Sequence, residues 1–175
     1  MTVRGVWLLV PFLFIRFGLL AVINREAVKR AAYFAPMKPN ERWIYWLYQL
    51  STAALLVSLC FLKILVSFSW LFYISVVLYF IGLALCAAAV VNFAAPSQEG
   101  LHTNGVYRYS RNPMYVSYFL IFTACALLTQ SLALGGMVIV FIFASHGIIL
   151  AEERWCMEEF AGAYLRYMQR VRRYI

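Results

Sequence analysis

The sequence predicts an all-α fold: a polytopic membrane protein of about five transmembrane helices, with an amphipathic C-terminal helix on the cytoplasmic side. Three observations predict it. Hydrophobic residues make up 65% of the 175 positions and charged residues only 13%, where a soluble domain carries about 25% charged residues. The apolar residues fall in runs close to the ~20 residues that a helix needs to cross a bilayer. Between these runs, Lys and Arg collect in alternate connections, as the positive-inside rule requires.

Span one is expected from Val6 to Ile23, with Arg16 inside it. A cation there costs about 2.5–3.5 kcal/mol on insertion scales, so it must face the bundle interior or snorkel to a lipid phosphate. An anion-binding role is the alternative. Because Arg16 interrupts the run and no small-residue cleavage site follows, the run reads as a span rather than a cleavable signal. A polar, basic segment follows from Asn24 to Arg42, where Pro36 and Pro39 break any long helix. Span two is expected from Trp43 to Leu62, a short turn at Lys63, and span three from Trp70 to Phe93. Trp43, Tyr45, Trp46 and Trp70 stand at span ends, where aromatic belts belong. Gly82, Ala84 and the run of alanines from 87 to 89 are small enough for close helix contact. After a second polar loop, span four runs from Pro113 to about Leu128, and span five from Leu132 to Leu150.

Lys and Arg outside the spans number one (Arg4), five (Arg25, Lys29, Arg30, Lys38, Arg42), one (Lys63), two (Arg108, Arg111), none, and five in the tail. Alternate segments total twelve on one face and two on the other. Five spans with the N-terminus outside and the C-terminus in the cytoplasm satisfy the rule without conflict. The net charge of +8 is thereby a matter of topology rather than of nucleic-acid binding. A prokaryotic inner membrane is the expected location. The four cysteines lack metal-like spacing and read as small hydrophobes.

Two stretches carry the polar chemistry. The first runs from Gly105 to Tyr115 and contains Tyr107, Arg111, Asn112, Pro113 and Met114. Asn is a favoured N-cap and Pro fits the first helical position, so Asn112 and Pro113 mark a helix start facing a basic loop. The free N–H groups of such an end suit an anionic or electron-rich group. The second stretch is the tail. All seven acidic residues of the chain are glutamates, and Glu152, Glu153, Glu158 and Glu159 fall within it. Glu158 and Glu159 read as a solvated face. Glu152 and Glu153 stand where span five leaves the bilayer, and a partly buried carboxylate there needs a partner. Further on, Phe160, Tyr164, Tyr167, Met168 and Val171 share one helical face, with Arg166, Gln169, Arg170 and Arg173 largely off it. That helix lies on the membrane surface or packs on the loops.

The loop Gly-x-Tyr-x3-Arg-x-Pro-x-Tyr, an apolar hairpin, the glutamate pair and the Tyr-rich basic tail together resemble one family. It comprises the isoprenylcysteine carboxyl methyltransferases and the related phospholipid methyltransferases, and the resemblance covers Glu99 to Ile175. It implies S-adenosyl-L-methionine as cofactor, methyl transfer to a lipophilic or amphiphilic acceptor, and a cofactor-binding core over residues 94–175 of a single membrane domain. By this resemblance Leu101 and His102 would line the cofactor through the loop backbone. Tyr107, Asn112, Pro113, Met114 and Tyr115 would hold its adenosyl and amino-acid parts. Glu152 takes the place closest to the reaction centre, with Glu153 beside it.

Glu152 is the candidate for orienting the acceptor or relaying its proton, and His146, inside the last span, could assist. Arg111 is a further catalytic candidate, or else ties the loop to Glu152 or Glu153. The chain departs from the family pattern at Glu99, His102, Asn112 and Ala161, whose neighbour Gly162 comes one place late. Ile148 stands where the isoprenylcysteine enzymes carry an arginine, which points away from a prenylcysteine acceptor. Two other classes compete. One is an NADPH-dependent sterol or isoprenoid reductase, and the other is a non-catalytic membrane subunit of this fold.

Overall fold

The computed structural model describes residues 2–67, 69–95 and 101–175, with the side chains of Arg30 and Ala32 excepted. The apolar runs form helices close to the expected bounds. Helix α1 (Val6–Leu13) passes through a π-helical stretch, Phe14–Leu19, into α2 (Leu20–Ile23). Then come α3 (Arg25–Ala32), α4 (Arg42–Phe61), α5 (Trp70–Ala94), α6 (Pro113–Thr129) and α7 (Leu132–Arg170). Four helical segments are long and apolar enough to cross a membrane: Val6–Ile23, Pro39–Phe61, Trp70–Ala94 and Leu132–Arg170. They support a polytopic all-α protein with an integral-membrane location. At 17 residues, α6 is shorter. With a rise of ~1.5 Å per residue it reaches about 25 Å, the short side of a ~30 Å hydrocarbon core.

Local chemistry explains the helix ends. The Asn24 side chain accepts from the Glu26 and Ala27 N–H groups and so starts α3. Ser69 accepts from Phe72 N–H at the head of α5, and Ser131 from Leu134 N–H at the head of α7. Each bond satisfies a donor that has no partner inside the helix. Between α6 and α7 the chain reverses through Gln130, which is left-handed at φ 49°.

Helix α5 packs along α6, and α4 along α7. The first contact depends on Gly82, where an added Cβ would come within 2.7 Å of Ile121 Cγ1. The small residue expected to allow close approach does so. A contiguous core joins Phe12, Leu20, Leu55, Cys86, Ile121, Phe122 and Phe141. Phe122 stacks edge-on against Phe12 and Phe141 at 5.4 and 5.3 Å. Cys86 and Cys125 are buried thiols within it, as expected of small hydrophobes. Outward, Trp7, Phe14, Trp46, Phe61, Trp70 and Phe80 are exposed, an apolar surface fit for lipid rather than water.

The structure differs from expectation in four places. Lys63–Leu65 is a strand rather than a plain turn, paired antiparallel with Thr2–Arg4. Three residues are too few for an alternating pattern to show in the sequence. Helix α7 does not stop at Leu150 but runs on through both glutamates, since nothing from Ala151 to Phe160 breaks a helix. The break comes at Ala161, at φ 39° and ψ −120°. Finally, Asn112 stands at the N-cap of α6 but its side chain makes no capping bond. Its amide nitrogen instead donates to Arg173 O at 3.2 Å and, more weakly, to Glu153 Oε1 at 3.5 Å, which turns the side chain toward the tail.

Candidate functional site

A cavity of about 500 Å³ opens where the loop after α5, the starts of α6 and the tail, and the α2–α4 connection meet. Its walls are mostly aromatic: Tyr48, Phe93, Tyr107, Tyr115, Tyr118 and Trp155 all line it. Four charged groups, Arg16, Arg111, Glu152 and Glu153, reach it.

The loop is fixed at both ends. Upstream, Gly105 is left-handed at φ 59°, which glycine adopts without a Cβ penalty. Asn92, near the end of α5, accepts from Val106 N–H through Oδ1 at 2.9 Å. A short 3-10 turn over Gly105–Arg108 follows. His102 stacks on Phe93 with ring centroids 4.5 Å apart and lies tilted against Tyr107. Burial pushes the Tyr107 hydroxyl above the ordinary phenol range, so it stays a neutral ring. Its carbonyl accepts from Tyr167 OH at 2.6 Å.

Downstream, the loop is latched by the tail. Glu153 is buried, and its two oxygens face two guanidiniums. Arg111 donates to Oε1 from Nε at 3.0 Å and approaches it from Nη2 at 2.9 Å. Arg173 donates to Oε2 from Nε at 3.0 Å and Nη2 at 2.8 Å. The carboxylate in turn raises Arg173 above its usual basicity. Arg111 Nη1 adds bonds to the carbonyls of Met168 and Val171, and Arg111 N–H donates to Arg172 O. The anion brought to the head of α6 is thus the protein's own Glu153. Around this latch Tyr164 and Tyr167 pack on Leu101, with Phe160, Met168 and Val171 against them. The apolar face foreseen in the tail lies on the loop.

Glu152 points differently. Its Oε1 accepts from Tyr115 OH at 2.9 Å, and no cation stands within ion-pair distance of it among the described residues. Neighbouring glutamates therefore have separate environments, one neutralised twice and one facing the cavity with a single phenol. One residue further, Arg154 grips Glu41 with two bonds of 3.0 and 2.7 Å. That bridge ties α7 to the turn before α4, next to the cavity wall formed by Tyr33, Phe34 and Ala35.

Of the residues singled out from the sequence, Leu101, His102, Tyr107, Arg111, Asn112, Met114, Tyr115, Glu152 and Glu153 come together around this cavity. Pro113 is fully buried at the helix start and does not line it. His146 does not line it either; its Nδ1 lies 2.6 Å from Tyr174 OH. Ile148 is buried in the bundle. Glu99 lies outside the described residues. Sequence reasoning missed Asn92, Arg173, Tyr48 and Trp155. Arg173 sits in a basic run whose charges look alike, and Asn92 is a lone amide closing an apolar helix.

A polytopic helical membrane protein with an aromatic cavity lined by Glu152, a carboxylate with no ion-pair partner among the described residues, is the class that fold and site define. Residues 90–163 match the phospholipid methyltransferase family model. The match takes in the end of α5, the loop, α6 and α7 as far as the break, and relates that part of the chain to this family. Among curated proteins and solved structures, nothing matches the chain.

Proposed function

We propose that the protein transfers a methyl group from S-adenosyl-L-methionine to a lipophilic or amphiphilic acceptor at the cytoplasmic face of its membrane. The observation that carries this reading is the cavity, which lies largely within the family-matched segment and gathers the loop residues and Glu152. Its volume falls within the roughly 300–1,000 Å³ usual for small-molecule sites. Its residues fit the cofactor chemically. Aromatic faces suit a flat base and a sulfonium, which rings attract as they do other cations. When bound, the cofactor supplies an electrophilic methyl group on sulfur.

In this reading residues 94–175 form the cofactor-binding core. Leu101, His102, Tyr107, Asn112, Met114 and Tyr115 hold the cofactor, while Pro113 sets the helix start beneath them. Glu152, oriented by Tyr115, aligns the acceptor and takes its proton, because alignment dominates an in-line displacement. Glu153 and Arg111 act as positioning residues, since their polar atoms are spent on each other and on the tail. His146 keeps at most a supporting part through Tyr174. Five spans, with α6 as the short one, place the N-terminus outside and the loop and tail in the cytoplasm. A prokaryotic inner membrane suits that topology. The acceptor reaches the cavity from the lipid side.

Calorimetric titration of the detergent-purified chain with S-adenosylhomocysteine tests the proposal. Micromolar binding, weakened by Glu152→Ala, is expected. A preference for NADPH would move the protein to the reductase class, and binding of neither to that of non-catalytic subunits.

A further inference from the structure

Arg16 is the one charged residue inside the first span, and it lies outside the segment that the family model matches. The π-helical stretch Phe14–Leu19 surrounds it. Such stretches shift side chains out of helical register and collect at functional sites. Here Arg16 becomes part of the wall of the same cavity that the loop and Glu152 line. Arg16 Nη2 donates to Ala31 O at 3.2 Å, in the last turn of α3, where a helix end favours a cation. Arg16 Nη1 is buried and has no hydrogen-bond partner among the described residues. No carboxylate there lies within ion-pair distance of it. A buried guanidinium nitrogen without an acceptor is costly, and inside an apolar span the cost is greater still.

From this geometry we propose that Arg16 is an oxyanion-binding residue of the cavity. It receives the phosphate or carboxylate headgroup of an amphiphilic acceptor. The inference rests on the proposed function for the identity of the reaction, but the binding site itself stands on the cavity and the unpartnered nitrogen. A planar guanidinium suits either oxyanion, because its forked donors match two oxygens at once. The mostly apolar wall explains why the anion should arrive on a greasy tail. The remaining charges are spoken for: Arg111 and Arg173 are both held by Glu153. Glu152 and Arg16 then line one cavity with opposite charges, near enough to interact. The headgroup's anion at Arg16 would leave its methyl-accepting atom free to face Glu152.

The carboxylate of the cofactor is the other source of an oxyanion, and the experiment separates the two. The full chain in maltoside detergent is titrated with octyl phosphate, octyltrimethylammonium, inorganic phosphate and S-adenosylhomocysteine, as wild type, Arg16→Gln and Arg16→Lys. Octyl phosphate should bind the wild type more tightly than octyltrimethylammonium. Arg16→Gln should weaken it about tenfold, the scale of a charged hydrogen bond. Arg16→Lys should restore part of the loss, with S-adenosylhomocysteine unchanged throughout. Equal binding of octyl phosphate to wild type and Arg16→Gln overturns the proposal. So does a loss confined to S-adenosylhomocysteine, which would give Arg16 to the cofactor. Inorganic phosphate binding as tightly as octyl phosphate would overturn the amphiphile. If Arg16→Gln does not fold, the wild-type preference for the anionic amphiphile decides alone, and its absence overturns the proposal. Failure of the wild type to bind S-adenosylhomocysteine would sink the methyltransferase reading, while the octyl phosphate comparison still reports on Arg16.

Discussion

Glu152 and Glu153 are neighbours in sequence with opposite surroundings, and they should fail differently when changed. Glu152→Gln keeps the shape and the bond to Tyr115, so the fold should survive. Turnover should fall about a hundredfold, the lower range for loss of a positioned general base. Assay of methyl transfer beside a melting curve checks this, and unchanged turnover would remove Glu152 from the chemistry. Glu153→Gln should do the reverse. With side-chain exposures of 8% for Arg111 and 4% for Glu153, removing the anion strands a buried guanidinium. The expected cost is about 3 kcal/mol, seen as a lower melting temperature, and Glu153→Gln that melts like wild type would contradict the latch. The sequence shows the pair but not this division of labour. It depends on Arg173, which reaches Glu153 across a reversal of the chain that no local spacing announces. Asn112 and Pro113 start α6 as expected, but the Asn112 side chain makes no capping bond, its amide nitrogen donating to the distant tail at Arg173 O.

At the scale of the element, the starts of α5, α6 and α7 were legible because hydropathy acts locally, while the end of α7 was not. Ser69 and Ser131 start their helices as their chemistry dictates. The apolar face of the tail was legible by its period, although only the structure gives it Leu101 as partner. The break at Ala161 was not legible as a break, though the missing glycine was visible as a departure from the family pattern. A non-glycine residue at φ 39° carries strain of about 1–3 kcal/mol. Ala161→Gly should therefore stabilise the protein by about 1 kcal/mol after glycine's own entropic cost. Ala161→Val should destabilise it. Thermal melting of both variants checks the sign, and a lower melting temperature for Ala161→Gly would mean that the break is not strained.

For the whole molecule, charge and hydropathy set the arrangement. The N-terminal half supplies Arg16, Tyr48 and the 33–35 wall to the cavity, and the bridge from Glu41 to Arg154 joins it to the segment, residues 90–163, that matches the family model. None of these partnerships could be read from a sequence, because each joins residues from separate spans. The twelve-to-two charge asymmetry between faces yields a direct test of orientation. A C-terminal green fluorescent protein fusion expressed in bacteria should fluoresce, and a C-terminal alkaline phosphatase fusion should be inactive. The opposite pattern would invert the topology and place the loop and tail outside.

The loop and tail also impose an order of events. Arg111 and Asn112 leave the ribosome about sixty residues ahead of the carbonyls they finally bond, the separation from Asn112 to Arg173 being 61. Two apolar helices, α6 and α7, are made in that interval, while the loop's donors wait for their partners. The cavity is then a late product of biogenesis, and under the proposed function a half-made chain cannot hold the cofactor there. Saturating ligand during synthesis should accordingly protect only molecules whose last helix has already arrived.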